Sequence, residues 1–215
     1  MSIAQNIMSI KTNLPQNVAL VAVSKTKPVS DIQEAYTAGH RIFGENKIQE
    51  MTEKWGQLPK DIEWHMIGHV QSNKVKFMTE YVTLIHGVDS LKLLSEINKQ
   101  AAKNNRVVDC LLQMHIAEEE TKFGLDEKEL LDLLTSADFK SFENIRIKGL
   151  MGMATFTNNH AQIEKEFRYL KSVFDRFESD YHFNTLSMGM SGDYQIAIGC
   201  GSNMVRIGSS IFGNR

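Results

Sequence analysis

The sequence predicts a (β/α)8 TIM barrel of the α/β class. Three observations point there. Short apolar runs alternate with longer amphipathic stretches along the chain, the runs are near-continuously apolar, and eight of them can be counted. Strands separated by helical crossovers pair in parallel. Continuous apolarity marks strands covered on both faces. Eight βα units close into a barrel, and a seven-strand open sheet is the alternative. The length of 215 residues fits a single domain, 1–215. Such a chain buries about 70% of its unfolded surface, enough to need no disulfide or metal.

The runs that read as strands are Val18–Ser24, Arg41–Gly44, Glu63–Ile67, Val82–Gly87, Val107–Ile116, Ile145–Met151, Thr185–Met188 and Met204–Ile207. Helical patterns lie between them at Ser30–Ala38, Lys47–Trp55, Ser90–Asn104, Asp126–Thr135 and Ala161–Phe177. An extra helix, about Ile3–Thr12, precedes the first strand. Ser30 and Asp31 offer an N-cap and an early acid, and Gly39 a stop. Asp89-Ser90 can cap the next marked helix, and Asp126-Glu127 place acid in the first turn of another. In Ser90–Asn104, Leu91, Leu94, Ile97, Asn98 and Ala101 recur at helical spacing and form one mainly apolar face.

Apolar residues make up 42% and charged residues 23%, with a net charge of −2. That balance gives no electrostatic pull toward nucleic acid or an anionic membrane. No basic stretch followed by an apolar run opens the chain, and no apolar run nears the roughly 20 residues of a membrane span. A cytoplasmic location is expected. Cys110 and Cys200 lie far apart without a CxxC spacing, which suits buried free thiols in a reducing compartment.

The first predicted strand ends on a lysine, Lys25, with Pro28 marking the end of regular structure. The carboxyl ends of barrel strands surround the active site. A lysine there either reaches for solvent or sits partly desolvated. In the second case its pKa falls, with Lys27 pushing the same way, and the neutral amine can form a Schiff base with an aldehyde. Two late turns combine glycine with hydroxyls: Leu186-Ser187-Met188-Gly189-Met190-Ser191-Gly192-Asp193 and Val205-Arg206-Ile207-Gly208-Ser209-Ser210. Each is either an ordinary tight turn or an anion cradle of backbone N–H and O–H donors. The segment Gly208–Phe212 can open a short helix toward an anion. Loops after strands seven and eight are the usual phosphate site of such barrels, and closure sets strand eight beside strand one.

Other patterns are weaker. His65 and His69 stand four apart on a strand and its loop, with no HExxH, so no zinc site is expected. Gly199-Cys200-Gly201 lacks the third glycine of a dinucleotide turn and precedes a strand instead of a helix. Glu118-Glu119-Glu120 reads as a solvated acidic loop.

Several segments resemble the pyridoxal phosphate homeostasis protein family, which is related to the N-terminal barrel of alanine racemase. They are Ala22 to Pro28, Phe43-Gly44-Glu45-Asn46, Trp64 to Gly68 with Gln71-Ser72-Asn73-Lys74, Gly149 to Ala154, Leu186 to Asp193 and Gly201 to Gly213. They follow family order over nearly the whole chain. The resemblance implies a PLP fold-type III barrel that holds pyridoxal 5′-phosphate (PLP) as a Schiff base on Lys25. It assigns Ser187, Gly208 and Ser209 to the phosphate and Arg206 to the pyridine nitrogen. Asn46 and His65 would line the cofactor's side of the mouth. An arginine cannot accept a proton, so it would hold the ring nitrogen unprotonated and weaken the ring as an electron sink. The segment ahead of strand one is short, which puts the packing of the first helix in question.

The implied role is intracellular PLP homeostasis and carriage without established turnover, with no catalytic residue assigned. PLP is the expected partner, with acceptor apoenzymes or amino acids as further ones, and a monomer is expected. Lys27 or Lys122 could serve as secondary amines during release. The alternative is a barrel-only PLP-dependent amino-acid racemase or lyase. A racemase needs a second acid/base opposite the substrate α-carbon, for which Tyr194, Tyr36 and His65 are candidates. The chain ends directly after the last barrel motif, so no further domain is expected to supply one. A third reading is a Schiff-base aldolase acting on phosphosugars.

Overall fold

The computed structural model describes residues 2–119 and 123–213. Helix α1, Ile3–Asn13, comes first, opened by a Ser2/Gln5 capping box. Then β1 (Ala19–Val23), α2 (Val29–Thr37), β2 (Ile42–Glu45), α3 (Ile48–Gln57) and β3 (Glu63–Met66) alternate. A 3-10 segment, Ser72–Phe77, carries the chain to β4 (Leu84–Val88). There follow α4 (Leu91–Lys103), β5 (Val108–Met114), α5 (Glu127–Thr135), α6 (Ala137–Lys140) and β6 (Ile145–Gly152). The last elements are α7 (His160–Tyr181), β7 (Thr185–Met190), α8 (Tyr194–Gly199), β8 (Met204–Ile207) and the single turn α9 (Ser209–Phe212). The strands pair in parallel in chain order, and β8 returns to β1 with Val21 opposite Arg206, closing the barrel. The open seven-strand alternative is thereby excluded.

Local chemistry explains most boundaries. Ser90 caps α4 by accepting from the Leu93 N–H, and Asp126 opens α5 in a capping box with Glu129. At α2 the expected Ser30 cap is not used. Pro28 occupies the cap position and α2 starts one residue earlier, because the fixed proline φ already aims the chain into the helix. Gly39 ends that helix at φ +85°. The front helix is well packed: Ile7 is fully buried, and the Asn6 side-chain amide donates to the Ile211 carbonyl at 2.9 Å.

The barrel has two apolar layers. A large outer core lies between strands and helices, with Phe43, Trp64, Ile97 and Phe167 among its fully buried members. A small inner core of Leu84, Leu111 and Met151, with Met153 and Met204 beside it, occupies part of the barrel's interior. The alternation of strand side chains then places the next inward residues, two positions on, toward the carboxyl-end mouth. These include His86 after Leu84 and Arg206 after Met204, both buried. Gly149 marks a local irregularity: it sits at φ +150°, and a Cβ there would lie 1.9 Å from the Thr185 carbonyl oxygen. Only glycine lets β6 pass β7 this closely.

Candidate functional site

Lys25 follows β1 on the inward parity of Val21 and Val23 and lines a cavity of about 560 Å³ at the carboxyl-end mouth. Lys27, Asn46, Ser191, Arg206 and Gly208 share its wall, with Ser209 at the rim. The turn that carries Lys25 is held from outside the barrel. Ser24 faces the opposite way from Lys25, and its Oγ donates to Glu45 Oε1 at 2.6 Å. The Lys54 ammonium, only 5% exposed, donates to the Ser24 carbonyl at 2.8 Å and to Glu45 and Glu50, each at 2.7 Å. Glu50 in turn accepts the Thr26 N–H at 2.6 Å, fixing Thr26 at a left-handed φ of 65°. Burial raises the Glu45 carboxyl above its ordinary pKa, and Lys54 and Ser24 oppose that shift. Lys27 donates from Nζ to the Phe212 carbonyl at 3.1 Å, tying this turn to α9.

Asn46 enters the mouth from just beyond β2. The end of β3 presses closely on it: a Cβ on Gly68 would lie 2.4 Å from the Asn46 carbonyl oxygen. The two late turns are joined to each other, because the Gly208 N–H donates to Ser191 Oγ at 3.2 Å. The Ser191 hydroxyl proton therefore remains available to an anion in the cavity.

Arg206 is 4% exposed and forms the floor of the cavity. Its Nη1 donates to the Ser187 carbonyl at 2.9 Å and to Ser187 Oγ at 2.6 Å, and its Nη2 to the Gly152 carbonyl at 3.1 Å. Burial lowers its pKa to about 10, with Asp193 acting the other way. Of the five guanidinium hydrogens these bonds use three.

Two expected site residues are not in the wall. Ser187 is fully buried beneath the cavity, bonded to Arg206 and to His86. Ser187 lies inside β7 with its side chain inward, bonded to Arg206 and His86, and because β7 runs on to Met190, Ser191 is the hydroxyl in the turn. His65 is 3% exposed within β3, bonded to His86 at 3.1 Å, and Ile67 takes the wall position above it. Of the candidate second acid/bases, Tyr36 donates to Asp61 and Tyr194 opens α8. Among the described residues lining the cavity there is no tyrosine. His160, Thr155 and Asn158 line it without having been singled out. Lys122 and Glu120 lie outside the described residues.

Comparison with known proteins fits this geometry. The family model for the alanine racemase N-terminal domain matches residues 1–215. A pyridoxal phosphate homeostasis protein of Pasteurella multocida is 38% identical over 231 residues, covering 100% of this chain and 98% of its own. The chain belongs to the pyridoxal phosphate homeostasis protein family. A solved structure of similar shape is PipY of Synechococcus elongatus PCC7942 with PLP bound. It has TM-score 0.90 and 32% identity, and the match covers 99% of this chain and 100% of PipY. The barrel of this family also matches alanine racemase of Bartonella henselae, at TM-score 0.75 and 19% identity over 58% of that enzyme, a likeness of fold alone.

Proposed function

We propose that the protein binds PLP with Lys25 as its covalent anchor and serves intracellular PLP homeostasis by holding the cofactor and handing it on. The observation that carries this is one cavity containing the Lys25 amine, the joined Ser191–Gly208 turns and Arg206. The donor set fits the group. An amine suits an aldehyde, hydroxyl and N–H donors on glycine-containing turns suit a phosphate, and a cation that cannot accept a proton suits an unprotonated ring nitrogen. PLP, when bound, supplies a reactive aldehyde carbon and an electron-withdrawing ring.

The chain's own residues then divide the work. Lys25 presents its amine from a turn clamped by Lys54, Glu45 and Glu50. Ser191, Gly208 and Ser209 hold the phosphate, with Ser187 supporting Arg206 from below. Asn46 flanks the amine, and Arg206 keeps its remaining N–H groups for the ring. Among the described residues the wall offers no tyrosine, and His160 is the imidazole that a racemase would have to use as its second acid/base. Among the described residues no helix is long and apolar enough to cross a membrane. A cytoplasmic, monomeric, single-domain carrier that serves acceptor apoenzymes is the corresponding reading.

The test is an absorption spectrum of the purified protein with PLP, followed by borohydride reduction and peptide mapping. The expected outcome is a visible band, abolished in Lys25→Ala, and a reduced adduct on Lys25. An adduct on another side chain, or a band that survives the substitution, defeats the proposal. Proton exchange from amino acids in heavy water well above that of free PLP would favour the racemase instead.

A further inference from the structure

Beneath the cavity the barrel interior is polar where hydrocarbon would be expected to fill it. Four side chains from four strands are bonded in series: Arg206 on β8, Ser187 on β7, His86 on β4 and His65 on β3. All four are 4% exposed or less. Such groups are expensive to bury, and a well-packed apolar layer could fill the same space at lower cost.

One order of donors runs through the whole series from the guanidinium. A guanidinium only donates. Ser187 Oγ accepts from Arg206 at 2.6 Å, so its own proton is left to donate. The His86 Nδ1 stands 3.1 Å away, and in the direction that uses the serine proton it is the acceptor. His86 must then carry its hydrogen on Nε2, which faces His65 Nδ1 at 3.1 Å. His65 accepts there and carries its hydrogen on Nε2. Burial depresses the pKa of both imidazoles, His65 to about 3, and the neighbouring Arg206 further disfavours a charged His86. The series therefore carries one positive charge, at its Arg206 end.

We infer that Ser187, His86 and His65 are positioning residues, a one-directional hydrogen-bond chain that aims the Arg206 guanidinium at the cavity floor and so fixes the electronic state of the ring bound above it. The carbonyls of Ser187 and Gly152 accept two further guanidinium hydrogens, so the Ser187 hydroxyl adds a third fixed partner. This rests on the reading that PLP occupies the cavity with its ring nitrogen over Arg206. The state of the chain itself does not depend on that reading.

The experiment has two arms. In the apoprotein at pH 7, nitrogen-15 NMR of the imidazoles should show His65 and His86 both neutral and both protonated on Nε2. An Nδ1–H form of His86, or a charged ring at either position, overturns the chain. In the PLP-loaded protein, Ser187→Ala removes one bond to a charged donor, a loss that corresponds to about tenfold in an equilibrium or rate. The absorption maximum of the bound cofactor should move and its release should quicken about tenfold, with borohydride still trapping one cofactor on Lys25. Ser187→Thr, which keeps the hydroxyl, should restore both. An unchanged spectrum and release rate in Ser187→Ala overturns the inference. Wild-type protein that traps nothing on Lys25 defeats the PLP reading alone, and the NMR arm then judges the chain by itself.

Discussion

A lysine ammonium at 5% exposure between two carboxylates is held by them, and one of those carboxylates is itself fully buried. Removing Lys54 would strand the Glu45 charge and leave the Ser24 carbonyl without its donor. Breaking a buried pair from one side costs about 3–5 kcal/mol, whereas replacing both partners by apolar groups can be neutral. Lys54→Met should therefore lower the urea midpoint markedly, and the double variant Lys54→Met with Glu45→Leu should recover much of the loss. A single variant as stable as wild type would show that the cluster does not clamp the Lys25 turn. The sequence shows Glu50 and Lys54 four apart on a helix, but not that the pair points inward at the Ser24 carbonyl. The place of Lys25 at the mouth was legible because a charged residue closes an apolar run. The chain from Arg206 to His65 was not, since its members lie on four separate strands.

Elements were read well where apolarity was continuous and less well at their ends. Strand β7 outruns its apolar run because Gly189 and Met190 extend it, and that two-residue extension leaves Ser191, not Ser187, as the first hydroxyl of the turn. The six-residue α8 was missed because glycine-rich turns flank it and one turn and a half leaves little periodicity to read. Ser30 resembled a cap, yet the preceding proline had already set the helix entry. At Gly149 the pairing of β6 and β7 depends on a missing side chain. Gly149→Ala would combine an unfavourable φ with a clash at 1.9 Å from a backbone oxygen. A cost of about 3 kcal/mol or more is expected, measured as a fall in urea midpoint and as faster amide exchange at the Asn184 N–H, which donates to the Lys148 carbonyl. Wild-type stability in that variant would mean that the two strands can separate at no cost.

For the molecule as a whole, acid should be the weak side. His40, His65 and His86 are buried, and burial depresses each pKa, to about 4 for His40 and about 3 for His65. A depressed histidine contributes stability that is complete above its unfolded value of about 6.5 and is lost as pH falls toward the folded value. Each such ring removes about 1.4 kcal/mol per pH unit within that window. The urea midpoint should therefore drop between pH 7 and pH 5, and a flat profile across that range would show that these rings already charge without penalty. The overall architecture was visible in advance because eight buried strands with helical crossovers leave few ways to close.

The pairing of β8 with β1 joins segments about as far apart along the chain as the fold allows, Ala19 beside Met204 and Ala22 beside Ile207. During synthesis the amine-bearing turn is made well before the turns that face it, with most of the barrel between them. A nascent polypeptide that has not yet made β8 thus carries Lys25 without the late turns beside it. Ligand capture becomes a receipt for finished assembly, issued only when the two extremities of the barrel have met.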